Sequence, residues 1–187
     1  LSTGTGNAAA VDAFSWSAWA GIALGVTSLV FNILNARRTT RIQENVRSTT
    51  VKLAQFEKLR VPVDACLTDL EKEQMSLRSL EVSDRSIEKI VKAVEESNKK
   101  IAEIDGQIST ALKKLDDSSF ADGHNWATQY GDDYDAFNDI INGVYSPLLS
   151  EDKKRAAIKK SSQKLETLIK NVQVRIEGEV ERISGTK

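Results

Sequence analysis

The chain has 187 residues, 40% hydrophobic and 28% charged, with 10 Gly, 2 Pro, 1 Cys and 1 His. That balance excludes a collagen-like or Pro/Gly-rich disordered chain, while one Cys excludes a disulfide framework or a Cys-ligated zinc site and one His a two-histidine metal site. The formal net charge of −1 becomes informative only when it is divided along the chain.

No residue from Ala13 to Ala36 is charged, and Phe14–Leu34 is a 21-residue, mostly apolar run. At 1.5 Å per residue a helix of that length spans roughly 30 Å, the thickness of a bilayer core. Trp16 and Trp19 stand at its start, where amphipathic aromatics favour the headgroup level, and Arg37, Arg38 and Arg41 follow it, whereas residues 1–13 carry only Asp12. The expectation is a short extracytoplasmic tail (1–13), a single transmembrane helix (14–35) in the inner or plasma membrane, and a C-terminal part in the cytoplasm. A secretory signal has its charges before the apolar run and a small-residue cleavage site after it. The reverse charge order predicts a retained anchor.

Ser17, Gly21, Gly25, Ser28, Asn32 and Asn35 recur at spacings of 4-4-3-4-3, which puts them on one helix face. In lipid, helices associate through close backbone approach and interhelical hydrogen bonds, and small residues with Asn and Ser supply both. This is the expected oligomerisation face, with the lipid bilayer and a second copy of the chain as partners. The same spacing continues through Ile42, Val46, Thr49, Leu53 and Phe56, with no Pro or Gly between residues 26 and 61. Residues 36–61 therefore read as a basic juxtamembrane helix, Arg37, Arg38 and Arg41 lying against an anionic inner leaflet. The Val61-Pro62 step predicts a break or kink, because the residue before proline is biased out of the α region.

Residues 62–187 read as helix after helix. Val63, Cys66, Leu67, Leu70, Leu77 and Leu80 recur at helical spacing, and Ser83-Asp84 marks a new start. A stripe through Ile87, Ile90, Val94, Ile101, Ile104, Ile108 and Leu115 is interrupted by Ser97 and includes Gly106. Asp116–Asn125 is loop-like. Trp126, Tyr130, Tyr134, Phe137 and Ile141 define a shorter helix, Pro147 ends it, and Ser150 with Glu151 and Asp152 forms a helix start for a last stripe from Ile158 to Ile183. No segment alternates like a strand. The expected fold is all-α: one membrane helix leading into a cytosolic antiparallel bundle.

Nine acids and no Lys or Arg lie between Leu115 and Asp152, while residues 153–187 hold ten Lys/Arg against four Glu. The simplest account is an acidic helix beside a basic one. The sharper alternative is an exposed surface for a cytosolic protein, with Asp132, Asp133, Asp135, Lys153, Lys154 and Arg155 as the candidate partner-binding residues. The Asp-rich stretch lacks EF-hand spacing, and Walker, nucleophile-elbow, HExxH and dinucleotide motifs are missing. His124 has no accompanying nucleophile motif, and Cys66 sits on an apolar face. No catalytic residue, cofactor or metal is expected, and no nucleic-acid or nucleotide partner. The function expected is a membrane-anchored scaffold, sensor or adaptor acting through its bundle. The alternative is an oligomerising effector that forms a pore or perturbs the bilayer.

Overall fold

A computed structural model describes residues 7–118 and 124–185, with side chains from Gly25 onward. Four helices are present among the described residues, α1 (Asn7–Glu81), α2 (Ile87–Asp116), α3 (Trp126–Gly143) and α4 (Glu151–Ser184), and no strand. The all-α expectation and the helix order hold. No helix, among the described residues, is long and apolar enough to cross a membrane. Residues 14–24 of the expected span, with Trp16, Trp19, Ser17 and Gly21, lie outside the residues whose side chains are described. The chain divides into two compact units, residues 1–50 and residues 51–187.

In the second unit the paired residues fix the topology. Ser97 meets Glu73 and Gln107 meets Cys66, so α2 runs antiparallel to α1. Glu81 pairs with Lys159 and Glu71 with Gln173, so α4 is also antiparallel to α1. Asp133 on α3 engages Lys164 and Asn171 on α4. The result is an up-down-up-down four-helix bundle joined by short connections. Its core takes residues from every helix: Phe56, Val63, Leu70 and Leu77 of α1, Ile90, Val94, Ile101 and Ile108 of α2, Tyr130, Phe137 and Ile141 of α3, and Ile158, Leu165, Val172 and Ile176 of α4. The spacing within α4 is strictly 3-4 through Ile158, Ser162, Leu165, Ile169, Val172 and Ile176, the pattern of a seam packed knobs-into-holes.

Of the break or kink expected at Val61-Pro62, the break does not occur. Pro62 lies inside α1, and the helix continues to Glu81. A proline in a helix interior forfeits one backbone hydrogen bond and crowds the carbonyl four residues back, at a cost of about 3 kcal/mol. A break would pull Phe56, which is completely buried, and Leu59 away from the core that holds Val63. Burial of each large apolar side chain is worth about 1.5–3 kcal/mol, so packing on both sides of the proline outweighs the local cost. Val61, Pro62 and Lys58 are exposed, which lets water take the freed carbonyl. The bundle therefore begins near Val51 and not at the proline, and Phe56 belongs to its core.

The connections are tied from a distance. The Asp116 carboxylate, at the end of α2, accepts the backbone N–H of Trp126 (3.0 Å) and of Ala127 (2.9 Å), satisfying two free donors at the start of α3. Asn125 and Ser150 stand at the N-cap positions of α3 and α4, yet neither makes a side-chain cap bond. Gly185 closes α4 at φ +70°, a left-handed conformation suited to glycine.

Replacing Phe56 by Ala should destabilise the bundle by about 3–5 kcal/mol, the usual cost of deleting a buried aromatic ring. Ile42→Ala, on an exposed residue of the first unit, should leave stability within about 0.5 kcal/mol of the parent. Urea unfolding of both variants checks the boundary.

Candidate functional site

Between Gly25 and Ser48 every residue of α1 is exposed. Within that stretch Val26, Leu29, Val30, Phe31, Ile33 and Leu34 are large apolar side chains, 46–63% exposed. They lie around the helix at the positions between Gly25, Ser28 and Asn32, the described members of the small and polar stripe. Past Ala36 the pattern inverts: Arg37, Arg38, Arg41 and Arg47 occupy the surrounding positions, and Ile42 and Val46 continue the stripe. Asn35 is the last polar member before the change. Six large apolar side chains are thus exposed within nine residues of α1.

The candidate partner-binding residues separate into two groups. Asp133 is engaged within the bundle, with Lys164 Nζ at 3.0 Å, Asn171 Nδ2 at 3.0 Å and an Arg175 guanidinium nitrogen at 3.9 Å. Partial burial pushes its carboxyl up, but the hydrogen bonds from Asn171 and Lys164 more than offset this and hold it below the ordinary aspartate value. Arg155 is also committed to the fold. Its guanidinium donates to the carbonyls of Ser83 (2.9 Å) and Arg85 (3.3 Å) and to Glu151, clamping the turn between α1 and α2. Asp132, Asp135 and Lys153 are exposed, and Lys154 is partly so. The acidic and basic segments thus meet at Asp133, while the other charges remain at the surface. The aromatic row turns inward: Tyr130 and Phe137 are completely buried, and Tyr134 stacks beside Tyr130 at 6.2 Å.

Polar groups inside the bundle were less legible. Glu179 falls on the α4 heptad after Ile158, Leu165 and Val172, and its side chain is 3% exposed. His124 Nε2 lies 3.0 Å from Glu179 Oε2, and Arg182 Nε donates to the same oxygen at 2.9 Å. A carboxylate can only accept, so Nε2 carries the proton. The His124 ring stacks on Trp126 at 4.8 Å, and Trp126 meets Phe56 edge-on at 6.4 Å. Burial pushes the Glu179 carboxyl up, but Arg182 and His124 more than compensate and leave it below the usual glutamate value. The signal for this cluster was present in the sequence as an acid on an apolar stripe. Gln74 and Ser162 carry the same signature; they bond one another across α1 and α4 at 3.2 Å. The groove above them, about 640 Å³, is lined by Arg78, Glu81, Lys159 and Glu166 among others, and Lys159 lies 3.0 Å from Glu81. Charges of both signs line it in equal number, so it favours no ionic ligand.

Cys66 is buried, and burial followed by the nearby Asp69 pushes its thiol up. That disfavours the thiolate on which cysteine chemistry depends. Among the described residues, no group of three or more His, Cys, Asp or Glu is placed to hold a metal ion. No family model matches the chain, and neither a curated protein nor a solved structure shows significant similarity to it.

The depressed carboxyls give the bundle an acid-sensitive stability. A group whose folded value lies below its unfolded one stabilises above the unfolded value, and the gain is lost as pH falls through the folded value. Glu179 and Asp133, with ordinary values of 4.5 and 3.8, should therefore weaken the fold below about pH 4.5. Asp105 acts in the opposite sense: burial raises its carboxyl, so its ionisation costs stability as pH rises. Urea midpoints measured from pH 7 to pH 3 should fall on the acid side. The decline should be shallower in Glu179→Gln combined with Asp133→Asn, whereas Asp105→Asn should gain stability at pH 7 relative to pH 3.

Proposed function

We propose that the chain is a single-pass membrane-anchored adaptor, held by residues 14–35 and presenting its helical bundle to a cytosolic protein. The observation that carries the reading is the exchange of polarity at Ala36. Before it, the large exposed side chains of α1 are apolar and the stripe is small and polar; after it, the surrounding side chains are cationic and the stripe is apolar. Each half suits a different solvent, lipid first and water second. The ten residues from Gly25 to Leu34, whose side chains are described, are too short to span a bilayer, and the uncharged run reaches the required length only together with residues 14–24. Arg37, Arg38 and Arg41 favour the cytoplasmic side for the bundle, and their charge suits anionic headgroups. The bundle supports a binding role over catalysis: its titratable clusters are bonded into the fold, and Asp132, Asp135, Lys153 and Lys154 are left to meet a partner.

A second reading rests on Asn32 and Asn35. Two amides in an otherwise apolar run suit either helix pairing or the lining of a pore, so an oligomeric effector that permeabilises the bilayer is the alternative. The two readings separate on dye release from cells that overproduce the chain: the effector releases dye, and Gly21→Leu with Gly25→Leu abolishes the release, whereas the adaptor releases none.

Anchoring itself is tested by carbonate extraction and flotation. The full chain should remain with the vesicles, and Val26→Arg should shift much of it to the soluble fraction, because a mid-helix arginine costs about 2.5–3.5 kcal/mol on insertion. A reporter placed after Lys187 should behave as cytoplasmic. Full extraction of the parent chain by carbonate would overturn the anchor.

A further inference from the structure

Within the bundle, α1 and α2 leave a groove of about 380 Å³ between them, lined by Leu59 and Pro62 of α1 and by Gly106, Thr110, Ala111 and Lys114 of α2 among others. That volume lies in the range of small-molecule sites. Its α2 wall is kept low. A side chain at Gly106 would meet nothing within 4 Å, so packing does not demand glycine at a position where a helix disfavours it. The Thr110 hydroxyl donates to the Gly106 carbonyl at 2.8 Å, which spends its donor on the backbone, and Pro62 has no N–H to offer. Leu59, Pro62, Ala111 and the bare backbone at Gly106 thus form a mostly apolar trough. From Gly106 to Lys114 it follows two turns of α2, about 12 Å.

Charge distinguishes the two ends of the trough. Among the described residues Lys114 is the one charged side chain in the lining. Cys66 meets Gln107, and seven residues along each antiparallel helix Glu73 meets Lys100; the same step the other way brings Leu59 level with Lys114. Lys58, next to Leu59 and exposed, therefore stands at the same end as Lys114, which is exposed too. Neither lysine forms an ion pair among the described residues. Glu103, exposed and one turn before Gly106, marks the opposite end. We infer that the groove takes the chain of a single-tailed anionic amphiphile of the fatty-acid class, with its head group between Lys58 and Lys114. Two like charges at the mouth of an apolar trough repel each other and raise the local positive potential. A carboxylate between them relieves both effects, and the alkyl chain behind it covers the trough. A neutral chain leaves the lysines unanswered, a cationic one is repelled, and Glu103 disfavours the reversed direction. This inference goes beyond the adaptor reading and does not require it, because the groove lies wholly in the second unit.

The test uses the full chain in phosphatidylcholine vesicles and a dodecanoate probe carrying a photoreactive diazirine on its tail, with adducts mapped by mass spectrometry. Adducts should concentrate on residues 59–62 and 106–111. Unlabelled dodecanoate should displace the probe about ten-fold more effectively than dodecanol at equal mole fraction in the vesicle, the size expected for one contact to a charged group. K58Q with K114Q should erase that preference. G106L fills the trough and should remove the adducts, with a thermal unfolding midpoint at or above the parent value, since open space receives the side chain and leucine favours a helix. Adducts confined to residues 14–35 or spread evenly along the chain overturn the inference. So does equal displacement by dodecanoate and dodecanol in the parent, or undiminished labelling of G106L. The lysine variant changes only exposed positions, so it decides the question even where G106L lowers the midpoint.

Discussion

A helix with apolar side chains at every third and fourth position is stable in water only where something covers that stripe, and α1 depends on this condition more than any other element. From Phe56 to Leu77 the cover comes from α2, α3 and α4, and it is strong enough to carry the helix through Pro62. Proline's local cost is real, yet it does not end the helix here. About 3 kcal/mol of backbone cost is set against burial of Phe56 on one side and Val63 on the other, and the larger sum decides.

The bundle core is not uniformly apolar, and several of its polar insertions are paired. Gln74 meets Ser162, Ser97 meets Glu73, and Glu179 receives both Arg182 and His124. A buried carboxylate without its partners costs several kcal/mol. Sliding α4 by one turn would separate Glu179 from His124 and Asp133 from Lys164 together, whereas a purely apolar seam would tolerate the slip with modest loss. These contacts add register to a topology that the apolar stripes leave under-determined. Asp116 works similarly, ending α2 and starting α3 with one carboxylate.

Most of the charge asymmetry along the chain has only a partial structural answer. Asp133 and Arg155 are consumed by the fold, the first against α4 and the second at the α1–α2 turn. Asp132, Asp135 and Lys153 remain in solvent, where isolated surface pairs contribute little to stability but can steer a charged partner.

The sequence by itself determined the all-helical class, the inward-facing stripes and the polarity exchange at Ala36, because each is a periodic property that a window of ten to twenty residues already contains. Tertiary structure alone decided that Pro62 sits within a helix, that Phe56 is core while Ile42 and Val46 are open, and that Asp116 rather than Asn125 caps α3. It also decided that His124 finds its partner in Glu179, 55 positions away. Those outcomes turn on which distant side chains arrive at a given point. Local spacing marks an acid on an apolar stripe as unusual, but only the packing of α4 beside the start of α3 supplies the imidazole that makes its burial tolerable.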